Sequence, residues 1–261
     1  MGTPLKNPPV YFTLAQVQFN PILKLPDYLP AIQEGFRKIG FPDYTAQKMF
    51  ALHIAVQNGQ PVPAMPGVVD RFAFRNAEMT QSFLLDADKL IFQSTDYGRF
   101  EAFSGHLLQG LGILHEVLHL DFTERVGLRY LDQVAPRGND QLSDYLVPEV
   151  LGVSGRLGGK ALRSFSEAFN EFDNIKLLSR VIIQEGGLGF PPDLAANNMV
   201  VAKRFQEYTG QHAILDNDGF VEGREPYSAD ALQKHLNSIH DVLDTAFRKT
   251  ATPHAFAVWE Q

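Results

Sequence analysis

The chain has 261 residues, 44% of them hydrophobic, no cysteine and a formal charge of -7. Such a composition fits a globular protein with a substantial core, of one large domain or two small ones. The acidic balance argues against a protein held to nucleic acid by bulk electrostatics, which normally shows as clustered Lys and Arg. Without cysteine, disulfides, thiolate zinc sites, iron–sulfur clusters and a cysteine nucleophile are excluded.

The opening Met1-Gly2-Thr3-Pro4-Leu5-Lys6-Asn7-Pro8-Pro9 has no apolar signal-like region, and no later stretch has the roughly 18 uninterrupted apolar residues of a membrane span. A cytoplasmic protein without membrane contact is expected. Ala15 to Phe19 alternates apolar and polar residues, as a strand with one buried face does, and Pro21 ends it. Leu29, Ile32, Phe36 and Ile39 then follow helical spacing, with Gly40 at the place of a C-cap glycine. Pro61, Pro63, Pro66 and Gly67 mark a loop. Beyond it, Arg71 to Glu78, Thr80 to Asp86 and Lys89 to Thr95 read as a meander of strands, with a tight turn at Asp86-Ala87-Asp88.

From Arg99 to Leu120 the residues Phe103, Leu107, Leu111, Leu114 and Leu118 form a helical stripe. This helix carries His115-Glu116-Val117-Leu118-His119, an H-E-x-x-H string that on a helix can offer two imidazoles to zinc and a carboxylate to activate water. His115 and His119 stand about a quarter to a third of a turn from the core stripe. A third ligand would have to come from elsewhere, with Glu149, Glu167 and Glu171 at suitable sequence distance. Asp121, where such helices stay apolar, and a strand beginning directly after His119 weigh against zinc, so no metal is expected.

In the following strand Val126, Leu128 and Tyr130 share one face and Arg125, Gly127 and Arg129 the other. Arg125 and Arg129 stand about 13 Å apart by strand rise and offer two forks for carboxylate or phosphate. They are the leading candidate for a functional surface. The alternative is an internal ion network with Asp216 and Asp218, which also share a strand face.

Gly152 to Lys160 reads as a flexible loop that fits neither a phosphate loop nor a nucleophile elbow. Strands are expected over 174–184, 204–208 and 211–221. Asp216-Asn217-Asp218-Gly219 lacks the frame and closing glutamate of a calcium loop. Ser228 caps a last helix with Asp230 in its first turn and a stripe of Leu232, Leu236, Ile239, Leu243 and Phe247. The fold class expected is α+β, antiparallel sheets with long amphipathic helices, in two structurally similar halves over 1–121 and 122–261 or as one continuous domain.

The block Glu124-Arg125-Val126-Gly127-Leu128-Arg129-Tyr130-Leu131-Asp132 resembles the signature of a sporadically distributed bacterial family of about this length without an assigned activity. The Pro4 to Pro9 opening, Thr95-Asp96-Tyr97, Leu215 to Asp218 and the His240, Phe247, Thr250, Trp259 series are similar to it in order and spacing, although asparagine is common there at the place of Asp132. The resemblance implies no reaction. A sporadic distribution suits accessory genes such as those of phage defence or toxin control. The expected function is therefore a non-enzymatic binding or regulatory protein that acts through a protein partner or by self-association. The competing reading is a zinc-dependent hydrolase with His115 and His119 as ligands and Glu116 as general base.

Overall fold

The computed structural model describes residues 5–51, 54–57, 60–63, 67–157, 162–191, 193–194 and 199–261. The first half runs β1 (Val10–Phe19), α1 (Leu25–Lys38), β2 (Asp43–Ala51), β3 (Ile54–Gln57), β4 (Gln60–Pro63), β5 (Gly67–Arg75), β6 (Gln81–Asp86), β7 (Lys89–Ser94) and α2 (Phe100–Leu118). The second runs β8 (Phe122–Val134), α3 (Leu142–Tyr145), α4 (Ser154–Leu157), β9 (Arg163–Phe172), β10 (Ile175–Glu185), α5 (Lys203–Gln206), β11 (Gln211–Pro226), α6 (Ala229–Thr250) and α7 (Pro253–Trp259).

The expected α+β arrangement of antiparallel sheets with long amphipathic helices in two similar halves is corrected. One nine-stranded antiparallel sheet, in the order β2-β5-β6-β7-β1-β8-β11-β10-β9, runs through both parts of the chain, beside a two-stranded β3–β4 ribbon. The physical reason lies at β1 and β8. Each pairs with a strand of its own part, β7 and β11 respectively, and the edges left over pair with each other from Val10↔Asp132 to Phe19↔Thr123. Had the two parts made separate sheets, both edges would present unpaired backbone groups. Of the helices, α2 and α6 reach 19 and 22 residues, whereas α3, α4 and α5 are single turns of four.

α1, α2 and α6 cover one face of the sheet. Their stripes meet Ala15, Val17 and Phe19 of β1 and Val126 and Leu128 of β8 in the main core. Gly219 is needed there, because a Cβ on it would stand 2.8 Å from Ile239 Cγ2 of α6. Ser228 caps α6 by accepting from the Ala231 N–H, and Gly40 takes the positive φ that turns the chain after α1. The two-residue Ala87-Asp88 turn joins β6 to β7 as the sequence implies.

Three segments differ from their sequence pattern: Pro61 and Pro63, expected in a loop, lie in β4 and Gly67 opens β5. Of residues 204–208, expected in a strand, 204–206 belong instead to α5, whose Phe205 packs with Tyr11, Met199 and Val201. In the glycine-rich stretch 154–157 forms α4, and 158–161 lie outside the described residues. Among the described residues, the opposite face of the sheet has no helical layer of comparable length. A strap, described over residues 186–191, 193–194 and 199–206, lies on part of it, with Leu188, Phe190 and Leu194 against Phe12, Leu131 and Ile214. Tyr11 Oη donates to the Gly189 carbonyl (2.8 Å), and Thr95 Oγ1 donates to the Val200 carbonyl (2.6 Å), tying residues 189 and 200 to the sheet. Among the described residues, no helix is long and apolar enough to cross a membrane.

Candidate functional site

The period-two alternation of β8 sends Arg125, Gly127 and Arg129 to the strap side of the sheet and Val126, Leu128 and Tyr130 to the helices. A cavity of about 330 Å³ lies over the three open-face residues, between the strap and the β6–β7 hairpin. Its charged lining consists of Arg71, Lys89, Arg125, Arg129, Asp193 and Asp218.

Arg129 is almost fully engaged. Its Nε and Nη2 donate to the two oxygens of Asp216 at 2.6 and 2.8 Å, and its Nη1 and Nη2 donate to Asp193 of the strap at 2.5 and 3.3 Å. Asp216 is completely buried, whereas the Asp193 side chain is 58% exposed. Burial opposes the charge of Arg129, but hydrogen bonds to Asp216 and Asp193 outweigh it and raise its pKa. Conversely, the hydrogen bond from Arg129 lowers the pKa of Asp193. Arg180 of β10 extends the network, donating to Asp216 at 3.3 Å and to Glu167 of β9 at 2.8 Å.

Asp218 stands opposite Arg129 in register, and its carboxylate makes no hydrogen bond among the described residues. Burial raises its pKa, and Arg129 and Arg125 pull it down by less.

Arg125 differs from Arg129. Among the described residues it has no carboxylate within 4 Å. Its guanidinium lies 4.3 Å from the ring centre of Phe220 and occupies the space above Gly127, where a Cβ would come within 2.9 Å of Nη1. The opposite wall holds Arg71, doubly bonded to Asp86 at 2.8 and 2.6 Å, and Lys89, 3.6 and 3.4 Å from Asp86 and Asp88. Gln93, only 1% exposed, lines the cavity with its amide nitrogen unbonded. A buried amide without a partner is costly. An oxyanion in the cavity would satisfy the free fork of Arg125.

The four candidate residues Arg125, Arg129, Asp216 and Asp218 thus meet on one face, in two different situations. Arg129 and Asp216 form a closed pair, while Arg125 and Asp218 stand open beside it. Sequence reasoning missed Arg180, Asp193, Gln93, Arg71 and Lys89. Arg180 carried a signal, a charge between Leu178 and Ile182 on one strand face; Asp193, in a loop, carried none.

The H-E-x-x-H residues are differently placed. α2 stops at Leu118, and His119 is its C-cap in the left-handed conformation, φ 52°. The two imidazoles therefore do not share a helix face; their centres are 6.5 Å apart with planes at 85°. His115 stacks on Tyr227, and Glu116 is exposed. Of the suggested third ligands, Glu167 is bound to Arg180. Glu149 and Glu171 do not join the pair: among the described residues, no group of three His, Asp or Glu is arranged to hold a metal ion.

Comparison with protein-family models, with curated proteins and with solved structures gives no match to the chain.

Proposed function

We propose that this is a non-enzymatic binding protein whose open sheet face seats an oxyanion, a carboxylate or phosphate presented by its partner, in the cavity over Gly127. The observation that carries the reading is the free Arg125 guanidinium, lying over Gly127 and Phe220 on a cavity that the unbonded Gln93 amide also lines. Arg125 supplies two parallel donors to the incoming oxygens. Lys89 and Arg71 on the opposite wall are already paired with Asp86 and Asp88, so the attraction rests on Arg125. Asp193 is the exposed acid on Arg129, so an arriving anion competes with it rather than with buried Asp216.

Titration of the full chain with inorganic phosphate and with citrate, followed by calorimetry, tests this. Binding that weakens with added salt and disappears in Arg125→Ala is expected. No binding of either anion, or equal binding by the variant, would overturn it. The resemblance of 124–132 to a sporadically distributed bacterial family extends the reading to an accessory role in phage-defence or toxin-control loci, acting through a protein partner or by self-association. Recovery of no partner from native cells, together with a monodisperse monomer, would count against that extension.

A further inference from the structure

The helix side of the same sheet holds a second cavity, separated from the arginine face by the thickness of β8. It measures about 130 Å³, lies between β8, β11, α6 and the 5–10 segment, and opens into a cleft of about 340 Å³. Leu5, Pro8, Val10 and Phe247 line both, so the space is continuous and mainly apolar. Its polar lining includes Tyr97, Tyr130, His240 and Asp132, beside Asn217 and Asp244. Tyr97 and Tyr130 share a hydroxyl hydrogen bond of 2.8 Å, and Tyr130 Oη stands 3.1 Å from His240 Nδ1. His240 lies flat on Phe100, their centres 4.0 Å apart. Burial lowers the pKa of His240 and so favours the neutral ring, against the opposing effect of Asp244, Asp241 and Glu101.

The fourth group is Asp132. It is 6% exposed, lines the inner cavity, and has neither a hydrogen bond nor an ion pair among the described residues. Burial alone pushes its pKa up to about 7. A buried carboxyl without a donor is an unmet demand for one. The approach to it is acidic. Glu101, Asp241 and Asp244 line the two spaces against Arg99 and Arg248; the Arg248–Asp244 bond of 2.8 Å cancels one charge of each sign and leaves Glu101 and Asp241 against Arg99. Tyr97, Tyr130 and Phe247 add aromatic faces suited to a cation. An anion would meet this acidic approach unfavourably, and a neutral apolar molecule would leave Asp132 unpaired.

From this geometry we propose that the cavity at Asp132 is a binding site for a small organic cation, an ammonium carried on an aryl or alkyl body. The ammonium donates to the Asp132 carboxylate beside the two tyrosine hydroxyls. The apolar body lies along Leu5, Pro8, Val10 and Phe247. This ligand is separate from the anion proposed for the arginine face, and neither reading depends on the other.

Calorimetric titration of the full chain with phenethylamine, phenylpropionate and phenethyl alcohol tests the class, since the three differ mainly in the charge of one end. Phenethylamine is expected to bind at least about tenfold more tightly than the other two, and at least about tenfold less tightly to Asp132→Asn. A second measurement needs no variant: amine affinity of the unaltered chain rises as the pH is raised through neutrality and Asp132 ionises. Failure of the amine to bind, equal binding of all three compounds, undiminished binding by a folded Asp132→Asn, or an affinity flat across neutral pH would overturn the proposal.

Discussion

Asp216→Ala should be among the most damaging single changes in this protein. Its carboxylate is fully buried and accepts from Arg129 at 2.6 and 2.8 Å and from Arg180 at 3.3 Å. Truncation strands the Arg129 guanidinium, whose side chain is only 6% exposed. Removing one partner of a buried ion pair costs roughly 3–5 kcal/mol. Asp193 still holds two of the guanidinium nitrogens, but it is 58% exposed and screened by water, so the low end, about 3 kcal/mol, is expected. For a chain of this size that is a fall of roughly 6–12 °C in Tm. Urea unfolding followed by circular dichroism measures it, with Asp193→Ala as the contrast, expected to cost under about 1 kcal/mol. If Asp216→Ala lost no more stability than Asp193→Ala, the assignment of Arg129 and Asp216 as a buried structural pair would be refuted.

Asp132 carries a pH signature: its folded pKa of about 7 lies above its ordinary 3.8, so its contribution is fully present below that ordinary value and is lost as pH rises through about 7. Asp132→Asn should therefore raise Tm above neutral pH and flatten the Tm–pH curve between those limits, and an unchanged curve would count against a buried carboxyl. Gly127→Ala should leave stability within about 0.5 kcal/mol, because the flexible Arg125 tip can swing away, yet weaken phosphate or citrate binding by calorimetry. Gly219→Ala has no such escape, since its Cβ meets Ile239 and Leu243 at 2.8 and 3.2 Å; a loss of about 1–3 kcal/mol on urea unfolding is expected. Metal analysis by mass spectrometry should find no stoichiometric zinc in either the unaltered chain or His115→Ala, whereas one zinc per chain lost in the variant would restore the hydrolase reading.

Elements with one buried face were legible in the sequence. The alternation along β8, the stripe and Ser228 cap of α6, and the Ala87-Asp88 turn all follow from local periodicity and turn chemistry. β9 was not legible, because on the edge of the sheet most of its side chains are exposed and no apolar repeat records a core. α5 misled for the opposite reason: Phe205 is buried under tertiary contacts that a five-residue window does not contain. The arginine face was half visible. Two arginines on one strand face could be read from spacing, but which of them is free depends on Asp193 and Arg180, 64 and 51 positions along the chain from Arg129. Around the H-E-x-x-H string the early start of the next strand was legible, but the left-handed turn that takes His119 off the helix face was not, because a five-residue pattern does not record backbone conformation.

The place of β8 in the middle of the sheet also has a consequence during synthesis. One of its neighbours, β1, is made long before it, but the other, β11, follows roughly 80 residues after β8 ends. At ordinary translation rates the nascent chain therefore carries an unpaired β8 edge for about 4–16 s. That edge bears Leu128 and Leu131 beside Arg125 and Arg129. The two charges would discourage neighbouring nascent chains from adding a strand there, giving the arginines a protective duty before the protein has finished folding.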